Sequence, residues 1–353
     1  MNNTTSNHYI QLDFIKVMAT IMIIFHHYQQ IFGVYFYNHV NYYFGLFDFG
    51  RLVELFFLIS GIVISKHEQS IQNSDQTFKK FFINRYLRLI LPIMGSVIAY
   101  ETISYYAGIM NVENWLFETG INPLGAVVAL LGISAWGILD NPMINNPIWY
   151  VSVLFLCYLI FYLILKASRK LNCSAIYFYI LIIVLGIYTQ LLSINIPLLN
   201  YSTSRGYIAF FFGVILSHRI NKTSTPSLPE VITCIILIML FIHSYIHYYN
   251  YIKPIILYLL VFILYPSLIR IIMATDFILI KHSIWTKLNR YAYYVFVMHL
   301  PTLFALFVGI NLNIIHYDIT LRFNMFLFAL ISYIIGIIYY YIIYLITPKH
   351  DLS

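Results

Sequence analysis

Eleven apolar segments, most of them close to twenty residues long, make up most of this 353-residue chain. A helix of about twenty apolar residues crosses the hydrocarbon core of a bilayer. Only 9% of the residues are charged and 61% are hydrophobic, so a soluble fold would lack the polar residues to cover its surface. The sequence therefore predicts an all-α, polytopic membrane helix bundle. The segments cover residues 10–33, 49–65, 83–110, 121–139, 148–165, 175–196, 205–217, 230–248, 254–274, 291–310 and 322–346.

Basic residues decide which of these segments cross, because loops rich in Lys and Arg stay in the cytoplasm. The 66–88 loop is basic and is therefore placed inside. If 121–139 does not cross, the later basic clusters also fall inside. We predict about ten spans with both termini cytoplasmic, and an outer or re-entrant segment over 111–147, whose Pro and Gly residues suit broken structure. Fifteen basic residues then face the cytoplasm (Lys66, Lys79, Lys80, Arg85, Arg88, Lys166, Arg169, Lys170, Arg219, Lys222, Arg270, Lys281, Lys287, Arg290, Lys349) and four face outside (Arg51, Arg205, Lys253, Arg322).

The net charge of +7 is spread through these loops. It therefore bears on topology and on contact with membrane lipids, and we expect no nucleic-acid partner. The pair His243/His247 has the i, i+4 spacing of a metal site, but it lies in a Tyr-rich stretch at an outer helix end and suits the membrane interface better. No metal site is predicted.

The first apolar segment carries four ionisable residues, Asp13, Lys16, His26 and His27. Ionisable groups inside a span are costly to bury, so by default they mark a functional site. Eleven residues separate Lys16 from His27, which on an α-helix leaves them about 20° apart and about 16 Å along the axis. They share a face, whereas His26 points elsewhere. The alternative is that Lys16 reaches the headgroups and the histidines bond neighbouring helices.

Glu54 lies about one turn inside the second span, in the outer half of the membrane, as His27 does. A carboxylate there would hold the imidazole in one tautomer and stabilise its protonated form. We therefore predict that His27 carries the chemistry and that Glu54 orients it. The alternative is an ion pair between Glu54 and Arg51, three residues earlier on the same helix.

Arg85 and Arg88 sit at i, i+3 on one face where the third span begins. Two guanidinium groups at a cytoplasmic helix end make a ready phosphate site, because their planar forks bind phosphate bidentately. The alternative is ordinary anchoring of the helix end by positive charge.

Three further residues complete the candidate site. Trp149 begins a span at the outer side, and Arg205 belongs to the same outer layer as His27 and Glu54. His299 lies near mid-membrane, where it either packs and hydrogen-bonds or lines the same cavity. Trp149 equally suits a plain interface anchor.

The first three motifs resemble those of the acyltransferase-3 family of integral-membrane O-acyltransferases. The first helix of that family carries Asp-x-x-(Arg/Lys), then His eleven residues after the basic residue, as in Asp13, Lys16 and His27. Its second span usually reads Asp-(Val/Leu)-Phe-Phe-(Val/Ile)-Ile-Ser-Gly, which residues 54–61 (ELFFLISG) match with Glu54 in place of Asp. Arg-x-x-Arg followed by proline is matched by 85–92 (RYLRLILP).

Two later stretches extend the resemblance over the whole chain. Trp149-x-x-Ser152 is similar to a Trp-x-x-Ser-(Val/Leu) segment, although 154–158 (LFLCY) lacks the acidic and Gln residues that often follow. Residues 291–299 (YAYYVFVMH) are similar to a late Tyr-Ser-x-x-(Ile/Val)-Tyr-x-x-His segment that ends here at His299.

The resemblance implies one integral-membrane acyltransferase domain over 1–353, in the plasma membrane. The implied donor is an acyl-CoA, usually acetyl-CoA, with its phosphates on Lys16, Arg85 and Arg88. The implied acceptor is a hydroxyl of a surface or exported polysaccharide, or of its lipid-linked precursor. His27 and Glu54 would carry the transfer, with His27 as general base or acyl carrier. The contacts to the acceptor would come from Trp149, Arg205 and His299.

Two functions from other classes remain open on the sequence. An exporter or flippase of a polysaccharide or lipid-linked saccharide would also bury charges, but it would not need a pair of arginines on one face or a histidine and a carboxylate at one depth. A passive subunit of a synthase complex would have no need of ionised residues within its spans.

Overall fold

The structure is a computed structural model that describes residues 10–33, 48–73, 76–112, 120–139, 144–218, 226–274, 277–280 and 282–347, without the side chains of 240–254. The described residues form helices and turns and contain no β-strand, which confirms the all-α prediction; an isolated bridge joins Ile196 and Leu199. The helices are α1 (Ile10–Tyr28), α2 (Leu52–Ile64), α3 (Glu68–Gln72), α4 (Asn84–Ile109), α5 (Pro123–Leu130), α6 (Trp149–Lys170), α7 (Ala175–Leu191), α8 (Tyr201–Ser217), α9 (Leu228–Leu259), α10 (Tyr265–Ala274), α11 (Ile284–Asn311) and α12 (Arg322–Ile346).

Among the described residues, six stretches of helix could cross a membrane by length and composition: Ile10–Gly33, Lys79–Ile109, Asn146–Lys170, Ile255–Ala274, Ile284–Asn311 and Arg322–Ile346. These stretches overlap the helices named above, in some cases with an adjoining turn. Together they confirm a polytopic helical membrane protein. The other predicted spans are also helical, but α2 has 13 residues and α7 and α8 have 17 each, near or below the usual minimum for a straight span.

Polar side chains set where several helices begin. Asn122 accepts a hydrogen bond from the backbone N–H of Gly125, with Pro123 at the first helical position of α5. Asn200 and Thr203 form a capping box at the start of α8. These groups satisfy N–H donors that a helix end otherwise leaves unpaired, which is costly at membrane depth.

The contacts between helices fix their relative directions. Rings of Phe82 and Phe155 contact each other, as do those of Phe78 and Tyr162, so the sequence entering α4 runs antiparallel to α6. The segment between α4 and α6 therefore leaves and returns at the same side of the bundle and does not cross. This confirms the prediction that 121–139 is not a span.

That segment is re-entrant. Ser104 donates to the carbonyl of Gly120 near the end of α4, and α5 then runs back along α4 until the Tyr86 hydroxyl donates to the carbonyl of Leu131. Gly132 reverses the chain with a φ of 69°, in the left-handed region that favours glycine. The segment then returns to Ser152, whose hydroxyl accepts a hydrogen bond from the backbone N–H of Ala135.

The predicted spans 230–248 and 254–274 form one helical run through α9, a π-helical turn at Leu260–Leu264 and α10. Oε2 of Glu230 nevertheless lies 3.4 Å from Nη1 of Arg270. A straight helix would separate these residues by about 60 Å. The chain therefore reverses direction between them, as two antiparallel spans require.

Helices α2 and α8 make the closest crossing in the described bundle. A Cβ added at Gly61 would lie 2.0 Å from the carbonyl oxygen of Phe210, and one added at Gly213 would lie 2.2 Å from that of Leu58. Small residues allow membrane helices to approach backbone to backbone. This crossing brings the beginnings of α2 and α8 together, with Glu54 in the first turn of α2 and Arg205 just after the first turn of α8.

We name the two ends of the bundle by their residues. The Lys16 end is where α1, α4 and α11 begin, and the Glu54 end is where α2, α6 and α8 begin. Described basic residues concentrate at the Lys16 end, as predicted. Arg219, Lys222, Lys281, Lys349 and the side chain of Lys253 lie outside the described residues. The Lys16 end holds Lys66, Lys79, Lys80, Arg85, Arg88, Lys166, Arg169, Lys170, Arg270, Lys287 and Arg290, and the Glu54 end holds Arg51, Arg205 and Arg322.

Candidate active site

His27 and His299 meet inside the bundle. Nδ1 of His27 lies 3.1 Å from Nε2 of His299, and the two ring centroids are 5.0 Å apart. Helices α1 and α11 run parallel, because Asn289 also donates to Asp13, at 2.7 Å, and both of these residues precede the histidines in their helices. His299 is fully buried. The sequence placed His299 near this depth but did not pair it with His27.

Glu54 does not contact His27, contrary to the prediction. Its two carboxylate oxygens accept hydrogen bonds from Arg205, at 2.6 Å from Nε and 2.9 Å from Nη2. Nη1 of Arg51 lies 3.5 Å from the same carboxylate, so the local ion pair that we kept as the alternative is present. Both carboxylate oxygens of Glu54 face guanidinium groups. This pairing offsets the cost of burying the charged side chain completely.

His26 separates His27 from this ion network. Its ring lies 5.5 Å from that of His27, and its Nδ1 is 3.7 Å from Oδ1 of Asp48. Asp48 also lies 3.4 Å from Nε of Arg51. Within the described part of the chain, the carboxylate within ion-pair distance of either histidine is that of Asp48, and it faces His26.

Arg205 links the network to two aromatic rings. Its guanidinium carbon lies 4.5 Å from the ring centroid of Trp149 and 5.6 Å from that of Tyr201. The two predicted acceptor residues, Trp149 and Arg205, are thus in contact with each other. Together they form a charged and aromatic surface at the Glu54 end, next to His26.

Three cations gather at the opposite end. Lys16 is within electrostatic range of Arg88 and Lys66 as well as of Asp13. Among the described residues, no hydrogen bond or ion pair is formed by the side chains of Lys16, Lys66 or Arg88, and Lys66 and Arg88 are exposed. Among the groups that act on Lys16, Asp13 is the one anion against two cations, so this region favours an added anion such as a phosphate.

Arg85 is held differently from Arg88. Its guanidinium donates to the carbonyl of Phe81 at 2.5 Å and to Nε2 of His67 at 2.8 Å, and it lies over the Phe81 ring. Burial and the positive charge of Arg85 lower the pKa of His67 to about 4, so this imidazole is neutral at pH 7 and accepts the hydrogen bond. Of the two arginines predicted to bind phosphate, Arg88 is the one whose guanidinium group makes no hydrogen bond among the described residues.

An aromatic wall lies between the two ends. The Tyr150 ring packs on Phe56 and Phe296, and its hydroxyl shares a hydrogen bond of 3.1 Å with that of Ser60. Phe296 in turn contacts the His299 ring at 5.9 Å. Ser60 and Phe56 belong to the 54–61 motif and Tyr150 follows Trp149, so both motifs contribute to this wall.

Sequence reasoning missed three parts of the site. Lys66 was counted only as a topology signal, Asp48 was not singled out, and Ser152 holds the re-entrant segment through both its hydroxyl and its carbonyl, the latter accepting from Nε1 of Trp136 at 2.9 Å. The matched motif around Ser152 was the available signal, but it could not reveal a partner in another segment.

A family model described as an acyltransferase domain matches residues 9–345, nearly the whole chain. No curated protein and no solved structure matches the chain significantly. The matched range covers every residue of the site described above, from Asp13 to His299. The chain therefore belongs to the acyltransferase-3 family of membrane acyltransferases.

Proposed function

We propose that this acyltransferase moves an acyl group, acetyl in the first instance, from cytoplasmic acyl-CoA to a sugar hydroxyl. The acceptor is a cell-surface or exported polysaccharide, or its lipid-linked precursor. The observation that carries the proposal is that α1 bears two separate functional groups. Lys16 lies within electrostatic range of Arg88 and Lys66, and His27, about 16 Å further along the helix, lies against His299.

The basic cluster supports a CoA donor. CoA carries several phosphates at one end and its thioester at the far end of a long, thin pantetheine arm. Lys16, Lys66 and Arg88 would bind the phosphates, and the arm would extend along α1 past the aromatic wall toward His27. Arg85, held by His67, would shape the site through packing and charge rather than through a bidentate contact.

The histidine supports acyl transfer by general base catalysis. His27 would take the proton of the acceptor hydroxyl as its oxygen attacks the thioester carbonyl. The carbon–sulfur bond then breaks, and the CoA sulfur receives the proton from His27. An acyl-histidine intermediate is the other route open to the same nitrogen.

The Glu54 end supports an acceptor with hydroxyl groups. Aromatic rings stack on the apolar faces of sugars, and charged side chains hydrogen-bond their hydroxyls. Trp149 and Arg205 would provide these two contacts, with Glu54 holding the guanidinium in place. The concentration of basic residues at the Lys16 end supports a cytoplasmic position for that end, for both termini, and for the donor, in the plasma membrane.

The first experiment measures thiol release from acetyl-CoA by the purified protein in lipid nanodiscs, with water as the acceptor. We expect turnover by the wild type and none by His27→Ala at equal folded yield. The Lys170→Ala variant, which removes an exposed charge at the Lys16 end, is the matched control and should act as the wild type.

A second measurement identifies the acceptor class. NMR of surface glycan from cells with and without the protein should show acyl esters that depend on it. An exporter would change the amount of surface glycan without changing its ester content, and it would release no thiol from acetyl-CoA. That pair of results would overturn the proposal.

A further inference from the structure

The hydrogen bond of His299 to its own helix determines which of its ring nitrogens carries hydrogen. Nδ1 of His299 lies 2.6 Å from the carbonyl oxygen of Phe296. A carbonyl oxygen can only accept, so Nδ1 must be the donor. A neutral imidazole has a single N–H, and Nε2 of His299 therefore presents a lone pair to His27.

The same argument then assigns His27. Its Nδ1 lies 3.1 Å from Nε2 of His299 and 3.1 Å from the carbonyl oxygen of Ile23. Both neighbours are acceptors, so the hydrogen must lie on Nδ1 of His27. Its other nitrogen, Nε2, then carries the lone pair, and it makes no hydrogen bond among the described residues.

We propose that His299 is the positioning residue for His27, in the place where the sequence predicted Glu54. His299 accepts the Nδ1–H of His27, which orients the ring and leaves Nε2 of His27 as the reacting atom. The proposal rests on the acyl-transfer function proposed above and assigns His299 a different part in it from contact with the acceptor.

The arrangement remains satisfied during the reaction. When Nε2 of His27 takes the hydroxyl proton, the resulting imidazolium still donates from Nδ1 to a neutral acceptor on His299. The proton then leaves from Nε2 to the CoA sulfur, and both rings return to their starting tautomers. Glu54 contributes no charge to this step, because Arg205 neutralises it.

Three variants on α11 test the role of His299. The His299→Gln side chain can accept from His27 and donate to a carbonyl, His299→Leu can do neither, and Met298→Leu is a volume-conserving control on the neighbouring residue. For acetyl-CoA turnover in nanodiscs, we expect kcat of His299→Leu to fall on the order of 10- to 100-fold. This loss is smaller than the roughly 10²- to 10⁴-fold loss expected when a general base itself is removed. The KM for acetyl-CoA should stay unchanged, His299→Gln should recover most of the loss, and Met298→Leu should match the wild type.

A spectroscopic readout tests the tautomers without any turnover. Nitrogen-15 spectra of histidine-labelled protein in nanodiscs, compared with those of His27→Gln and His299→Gln, assign the protonated nitrogen of each ring. We expect Nδ1–H on both. A proton on Nε2 of His27, or a kcat of His299→Leu equal to that of Met298→Leu, would overturn the proposal. If the wild type releases no thiol from acetyl-CoA, the proposed donor fails instead, and the spectra alone decide the pairing.

Discussion

Glu54 and Arg205 form a buried bidentate ion pair between the beginnings of α2 and α8, with distances of 2.6 Å and 2.9 Å. The pair lies about two helical turns before the close crossing at Gly61 and Gly213. Arg205 in turn lies over Trp149. The guanidinium of Arg205 therefore takes part both in a contact between two helices and in the aromatic surface that we propose for the acceptor.

We predict that this pair stabilises the fold more than it serves the chemical step. Removing one partner of a buried pair leaves the other charged and unpaired, which typically costs about 3–5 kcal/mol. Glu54→Gln and Arg205→Gln should each lower the thermal unfolding temperature in detergent, and the double variant should recover part of the loss. The melting temperatures of the wild type and these three variants form a double-mutant cycle, and additive losses would show that the two side chains do not interact.

The second prediction concerns the crossing itself. A Cβ at Gly61 would meet the backbone of Phe210, which cannot move aside by changing a rotamer. Overpacking of this kind costs about 1–3 kcal/mol. Gly61→Ala should therefore lower the melting temperature, while Val63→Ile, which adds one methyl group at an exposed position of the same helix, should leave it unchanged. Equal stability of the two variants would contradict the close approach.

The sequence carried the information for the helices and for the re-entrant segment between α4 and α6, but not for the partners within the site. Placing 121–139 outside the count of spans followed from the basic residues alone, and the antiparallel directions of α4 and α6 agree with it. The distribution of basic residues is a property of whole loops, so topology can be predicted from it without knowing how the helices pack.

The predicted pairing of Glu54 with His27 was wrong for a physical reason. Arg51, three residues from Glu54, is visible as a partner in any helix, whereas Arg205 lies 151 residues away. Depth alone placed His27, His299, Glu54 and Arg205 in overlapping layers. Which of them meet depends on how each helix is rotated about its axis, and that rotation is set by contacts such as Gly61 against Phe210, which no local pattern encodes.

The third prediction fixes the absolute orientation with a native probe. Cys173 is exposed after α6 at the Lys16 end, whereas Cys157 and Cys234 are buried. A membrane-impermeant maleimide should label Cys173 only after cells are permeabilised. The matched control is Ile196→Cys in a Cys173→Ser background, at an exposed site of the Glu54 end, and intact cells should label it. Labelling of Cys173 in intact cells would place the basic cluster outside.

The fourth prediction separates the two arginines of the predicted donor site. Arg88 has a free guanidinium, while that of Arg85 is engaged by His67 and Phe81. A hydrogen bond to a charged group contributes about 1.5–3 kcal/mol, so Arg88→Ala should raise the KM for acetyl-CoA by about tenfold or more. Arg85→Ala should change that KM less and lower the melting temperature more. Lys170→Ala is the control for the loss of a positive charge. A larger rise in KM for Arg85→Ala than for Arg88→Ala would make Arg85 the phosphate ligand.

The last prediction concerns which histidine carries the chemistry. His27 has an imidazole partner that leaves Nε2 open, whereas His26 faces Asp48 and the backbone of Gly50, where an added Cβ would lie 2.8 Å from its Nε2. We therefore expect His27→Ala to abolish detectable acyl transfer, since a general base contributes about 10²–10⁴-fold. His26→Ala should keep substantial activity, within about tenfold of the wild type, because its neighbours form an ion network that Arg51 and Arg205 already neutralise. Both variants must be compared at equal abundance in the membrane, because a buried partner left unpaired also destabilises the fold. If His26→Ala is inactive while His27→Ala is active, then the base is the histidine with the carboxylate, and His26 and Asp48 take the place of the His27–His299 pair.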